Sequence, residues 1–201
     1  TGCYTSQAAM KLYNRQNELL GDAAERAAVT AEWLNQAKYP GSTINEAWKR
    51  FIYHQFHDDL TGTSIPRAYE FSWNDELISL KQFSNVLTSS IHGIGRELDT
   101  RVSGIPVILY NALGFAVTDI AEIELDLPKA PKGITVYDEK GKKVSAQLIS
   151  YTDGKARILV EATVPATGYV VYDIRTSGTG ASNVSTNVNT CLLYTSDAAD
   201  D

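Results

Sequence analysis

Nowhere in this 201-residue chain is there an apolar run approaching the roughly 18 residues that a membrane-spanning helix needs, so no membrane partner is expected. Positive charge is also in short supply. Eighteen Lys and Arg stand against 24 Asp and Glu, for a net charge of −6. That balance argues against a nucleic-acid partner, which calls for a basic face. There are two cysteines, Cys3 and Cys191, at opposite ends of the chain, and they outline no disulfide framework. Neither an initiating methionine nor a signal peptide is present, and the opening Thr1-Gly2-Cys3-Tyr4 reads as a cut. Histidine is scarce as well: three in all, His54, His57 and His92.

What is present is ordinary globular material, 43% hydrophobic and 21% charged, enough for one large domain or two small ones. The first half has helical periodicity. Between Ser6 and Lys38, Leu12, Leu19, Ala23, Ala27, Thr30 and Leu34 recur at steps of three, four or seven, with Gly21 a weak spot. Tyr39-Pro40-Gly41-Ser42 is expected to stop that helix. Thr43 and Glu46 then have capping-box spacing, which opens a second helix running to about Asp58. Gly62 and Pro66 break the chain. A third helix follows, with Leu77, Leu80, Leu87, Ile91, Ile94 and Leu98 on one face. Short turns between three amphipathic helices predict an antiparallel bundle over residues 1–100.

From about Arg101 the period changes to that of strands. Ile123, Leu125 and Leu127 alternate with Glu122, Glu124 and Asp126, as in a strand with one wet face. Glu139-Lys140-Gly141 and Asp153-Gly154 read as hairpin turns. Five or six such strands predict part of a β-sandwich over residues 101–190. The fold class is therefore α+β and multidomain, a three-helix bundle followed by an incomplete sandwich, whose open edges favour self-association. The last stretch, "CLLYTSDAADD" (191–201), resembles a translated sequencing adapter and is expected to be non-biological.

Two histidines and two aspartates crowd the stretch "HQFHDDLTGT" (54–63). On a helix His54 and His57 would share a face, with Asp58 four residues beyond His54. Imidazole and carboxylate are good zinc ligands, yet a zinc site needs three or four of them. On spacing alone, the polar end of a helix is the stronger reading. Thr61, Gly62 and Thr63 are expected to shape the turn that follows, with Gly62 at positive φ. Trp33, Trp48, Trp73, Tyr53 and Tyr69 fall at helical spacing and are expected in the core.

Longer stretches carry a resemblance. "FHDDLTGTS" (56–64) is similar to the HHDAxTGTS-like segment of glycoside hydrolase family 38, the retaining α-mannosidases. "GCYTSQAAMKLYNRQNELL" resembles that family's entry into its helical middle domain. "INEAWKRFIYHQFHDDLTGTSIPRAYE" resembles the helix carrying its zinc histidine. "VILYNALGF" and "VPATGYVVYDI" resemble strands of the β-domain that follows, so the likeness runs in order over residues 1 to about 190.

The resemblance implies that the chain is a fragment of a bacterial-type, zinc-dependent enzyme hydrolysing terminal α-linked mannose from glycans. It implies that His57 is one zinc ligand and that Asp58 binds mannose hydroxyls. The nucleophile, the acid/base and the other zinc ligands would lie on a barrel before Thr1, leaving this chain inactive alone. Phe56 departs from the family's first histidine, so no sugar contact is carried over to that position. His54 has no counterpart in the motif, and a structural role or one supporting the ligands is expected. The rival reading is a non-catalytic helical and β-sandwich module that binds carbohydrate or a protein.

Overall fold

A computed structural model of the chain describes residues 5–176; the adapter-like stretch 191–201 lies outside them. Three helices come first: α1 (Ala8–Trp33), α2 (Gly41–Tyr53) and α3 (Pro66–Gly95). Seven strands follow: β1 (Ile105–Asn111), β2 (Val117–Asp126), β3 (Thr135–Tyr137), β4 (Lys143–Val144), β5 (Ala146–Thr152), β6 (Lys155–Val164) and β7 (Gly168–Arg175). They form two sheets, of order β1-β7-β3-β4 and β2-β6-β5, neither closed on itself. The α+β class, with a helical bundle ahead of open antiparallel sheets, is the one the sequence predicts. The described residues divide into two compact units. One holds residues 5–100 with 108–117 and 164–170; the other holds 101–107, 118–163 and 171–176.

In the helical unit the helices are those expected, but their packed faces are not. In α1 the buried positions are Met10, Asn14, Asn17, Gly21, Ala24, Ala28 and Ala31, with Ala27 beside them. Leu12 and Leu19, expected inside, are 54% and 55% exposed. In α3 the buried series is Tyr69, Ser72, Glu76, Ser79, Phe83, Val86, Ser90 and Gly93, with Ile94. Leu77 is exposed. Both seams alternate steps of four and three, the spacing at which helices interlock side by side. Small and polar residues fill them, because a narrow seam lets two helix axes approach closely. A hydrophobicity count alone misses such a seam.

The helix boundaries also differ from expectation. Asn35, at φ 56°, stops α1 in the left-handed conformation that asparagine tolerates, before Tyr39-Pro40 is reached. The predicted capping box does not form: α2 begins at Gly41, with Pro40 as its N-cap and no side-chain cap, so Thr43 already lies within the helix. Of the aromatics expected in the core, Tyr69 is buried and Trp48 packs on the core of Ala24, Ala28, Ile44, Ala47, Phe83 and Val86. Trp33, Trp73 and Tyr53 are exposed.

In the strand unit the alternation holds. Ile123 and Leu127 face in, while Glu122 and Glu124 face out and pair with Arg157 and Lys155. β6 buries Ala156, Ile158, Val160 and Ala162 on one face. β5 and β6 join through Asp153 and Gly154, at φ 52° and 80°, the two positive angles a tight two-residue hairpin requires.

At Gly21 helix α1 passes close to the Trp48 ring of α2. A Cβ built there would lie 2.7 and 2.9 Å from the Trp48 ring, with Phe83 at 3.3 Å. Trp48 cannot easily move aside, since its Nε1 donates to Glu25 at 2.7 Å and its ring packs edge-on against Phe83. Gly21→Ala gains about 1 kcal/mol of helix propensity but meets an overpacking cost of about 1–3 kcal/mol. A net loss of about 1 kcal/mol is expected in urea denaturation. A stabilised variant would show that the seam has room.

Candidate functional site

Helix α2 ends at Tyr53, and the chain continues through tight turns rather than more helix. The amides of His54, Gln55 and Phe56 each reach back three residues, to Phe51, Ile52 and Tyr53. The motif therefore does not lie on a helix, and the shared face expected of His54 and His57 is absent. The His54 side chain is 5% exposed and that of His57 is 76% exposed. One histidine points into the protein and the other out of it.

The inward histidine sits between two carboxylates. Its Nδ1 lies 2.9 Å from Asp59 Oδ2 and its Nε2 3.2 Å from Asp75 Oδ2. Asp59 also accepts from Ser64 Oγ at 3.0 Å and Ser72 Oγ at 3.2 Å. Asp75 accepts from Arg50 Nη1 at 2.9 Å. Beneath them Glu76, fully buried, accepts from the amide of Asn17 on α1. Around His54 the partnered groups hold a fixed geometry because each lost partner leaves a costly orphan, whereas Asn17 Oδ1 and Glu76 Oε1 are buried without a hydrogen-bond partner among the described residues.

The loop above is tied down along its length. Tyr69 donates its hydroxyl to the Asp58 carbonyl at 3.0 Å and accepts from the Ser64 amide at 3.1 Å. The amides of Thr63 and Ser64 donate back to the Asp58 carbonyl, and Thr61 Oγ1 donates to the His57 carbonyl. Gly62 has φ 86°, the left-handed value expected of it. A Cβ there would also meet the Ser6 carbonyl oxygen at 2.9 Å, while Ser6 Oγ donates to the Gly62 carbonyl at 3.2 Å. The N-terminal segment thus braces the turn.

On this braced loop His57 and Asp58 stand side by side. His57 Nε2 is 3.5 Å from Asp58 Oδ2, and Thr63 Oγ1 donates to Asp58 Oδ1 at 3.1 Å. An imidazole nitrogen beside a carboxylate suits a metal or a hydroxylated ligand. However, among the described residues no three His, Cys, Asp or Glu side chains gather as a metal site. His57 and Asp58 fit a zinc ion as part of a ligand set and do not complete one. His92 is exposed on α3, and Phe56 is exposed with its ring 4.1 Å from that of His57. Sequence reasoning missed the supporting residues Asp59, Asp75, Ser72, Glu76 and Asn17. A pairing such as His54 with Asp75 carries no local spacing signal.

Glu76 leaves a measurable trace. Burial pushes its carboxyl up to about 7, against the Asn17 hydrogen bond and nearby His54, which lower it, and with Asp75, which raises it. A raised carboxyl is held protonated in the folded chain while the unfolded chain ionises near 4.5, so stability falls as pH rises from 4.5 to about 7. Glu76→Gln removes that term. Relative to wild type it should gain on the order of 3 kcal/mol between pH 4 and pH 8. Parallel stability–pH curves for the two proteins would show that Glu76 does not titrate in this window.

Residues 1–94 match the alpha mannosidase middle domain family. The chain is 26% identical over 199 residues to α-mannosidase G of Dictyostelium discoideum, covering 88% of this chain and 17% of that protein. It is 40% identical over 72 residues to an α-mannosidase of Saccharomyces cerevisiae, covering 35% of this chain and 7% of that one. The chain therefore spans about a sixth or less of these relatives. Two crystal structures from Enterococcus faecalis share the fold, each with TM-score 0.74 over 92% of this chain. One is an α-mannosidase (18% identical, 25% of its chain covered); the other is a protein of glycosyl hydrolase family 38 (19% identical, 26% covered). The middle-domain match, the two relatives and the shared fold agree: this chain is similar to α-mannosidases, in family sequence over residues 1–94 and in fold over most of its length.

Proposed function

We propose that this chain is the helical middle domain, to about residue 100, and the start of the β-domain of a zinc-dependent retaining α-mannosidase that removes terminal α-linked mannose from glycans. The observation that carries the reading is the exposed His57–Asp58 pair on a loop braced from beneath. A side chain meant only to be solvated needs no such support.

In this reading His57 supplies one neutral nitrogen to the zinc, and Asp58 accepts hydrogen bonds from mannose hydroxyls as a charged acceptor. The zinc, when bound, orients the sugar ring and favours its distortion. The nucleophile and the acid/base that a retaining glycosidase needs would come from protein outside these 201 residues, as would the other ligands. The role of the described chain is to place one nitrogen and one carboxylate against that centre and to keep them still.

The test uses a longer protein that includes the barrel. His57→Ala should lose zinc and activity together. Asp58→Asn keeps size and shape but removes the charge, so zinc should stay while kcat/KM falls about ten- to a hundred-fold. Zinc content measured beside steady-state kinetics decides it. Full zinc and wild-type rates in His57→Ala would leave the motif a polar loop, and the non-catalytic module would then be the better reading.

A further inference from the structure

One helical turn before the His57 loop, the outer face of α2 borders a shallow depression. Glu46, Lys49, Arg50 and Tyr53 fall at spacings of three, four and seven residues, which stacks them on one face. Asp75 of α3 closes the side, and together they line a depression of about 290 Å³. Its lining has two cations, two anions and one aromatic ring.

Tyr53 is 74% exposed, an unusual place for a ring at the end of a packed helix. It is nonetheless held in position: its edge meets the His54 ring at 5.3 Å and 85°, and His54 is fixed by Asp59 and Asp75. Arg50 is likewise no loose surface cation. Its Nη1 donates to Asp75 at 2.9 Å, while its Nε is buried without a hydrogen-bond partner among the described residues. The Arg50–Asp75 pair therefore stands fixed beside the exposed Tyr53 ring, with the exposed Glu46 and Lys49 at the edge of the depression.

From this we infer that the α2 face binds one neutral sugar ring, a mannosyl residue of the same glycan. The identity of the sugar rests on the function proposed above. Balanced charge disfavours an anion, because Glu46 and Asp75 oppose Lys49 and Arg50. Four charged side chains around one ring disfavour a wholly apolar ligand. A pyranose matches both features: its C–H face lies on an aromatic ring, while its hydroxyls donate to carboxylates and accept from cations. The volume lies at the lower edge of the roughly 300–1,000 Å³ of ligand sites, room for a single ring.

The test needs only the 201-residue chain, with no zinc and no catalytic domain, so it stands or falls separately from the hydrolase reading. Methyl α-mannopyranoside is titrated into the labelled chain and followed by NMR. Saturable shifts are expected at Tyr53, Lys49, Arg50 and Asp75, with a Kd on the order of millimolar, as one shallow contact allows. Tyr53→Ala should weaken binding at least tenfold with the rest of the spectrum intact. Trp33→Ala, another exposed aromatic, should leave it unchanged. An absence of shifts, equal binding by Tyr53→Ala, or saturable binding of inorganic phosphate in place of the sugar would overturn the inference.

Discussion

A single imidazole holds the site together. His54 is the first residue past α2, and its ring spans from Asp59 in the loop to Asp75 on α3. Through Asp59 it fixes Ser64 and Ser72, and through Asp75 it fixes Arg50. The residues that face outward, His57 and Asp58, gain their geometry from a neighbour that faces inward. A loop of this length carrying Gly62 would otherwise have many conformations open to it, and each ordered residue costs about 1–2 kcal/mol of backbone entropy. The buried hydrogen bonds offset that cost where it is greatest.

Polar residues also occupy the helical seams. Asn17 Nδ2 donates to the Glu76 carboxyl and carbonyl between α1 and α3, and Glu76 lies close enough to His54 for the charge of the ring to bear on its carboxyl. Gly21 and the alanines further along α1 bring the helices close, and Trp48 and Phe83 fill the space beside them. The bundle thus changes along its axis, from a polar end that supports the loop to an apolar part that supports the fold.

How much of this could be read from the residues depended on how local the signal was. The strands were legible because charge and apolarity alternate strictly, as at Glu122 to Leu127. The helices were legible as helices. Their faces were not, because the leucines that dominate a hydrophobicity count, Leu12, Leu19 and Leu77, lie outside, while Asn, Ser and Gly lie inside. Periodicity marks a face only where the seam is greasy. The motif was legible as chemistry but not as geometry. Placing His54 and His57 together assumed that α2 runs on, whereas it stops at Tyr53. Gly62 was legible because a positive φ is a local demand.

Buried partners, rather than the loop's own sequence, hold His57 and Asp58 in place. Amide hydrogen exchange tests it most directly, at the Thr63 and Ser64 amides that donate to the Asp58 carbonyl. Asp59→Ala removes the carboxylate that joins His54 to Ser64 and Ser72. Protection at Thr63 and Ser64 should collapse in this variant while amides in the middle of α1 and α3 keep theirs. Unchanged protection at Thr63 and Ser64 would mean that the loop holds itself without its buried partners.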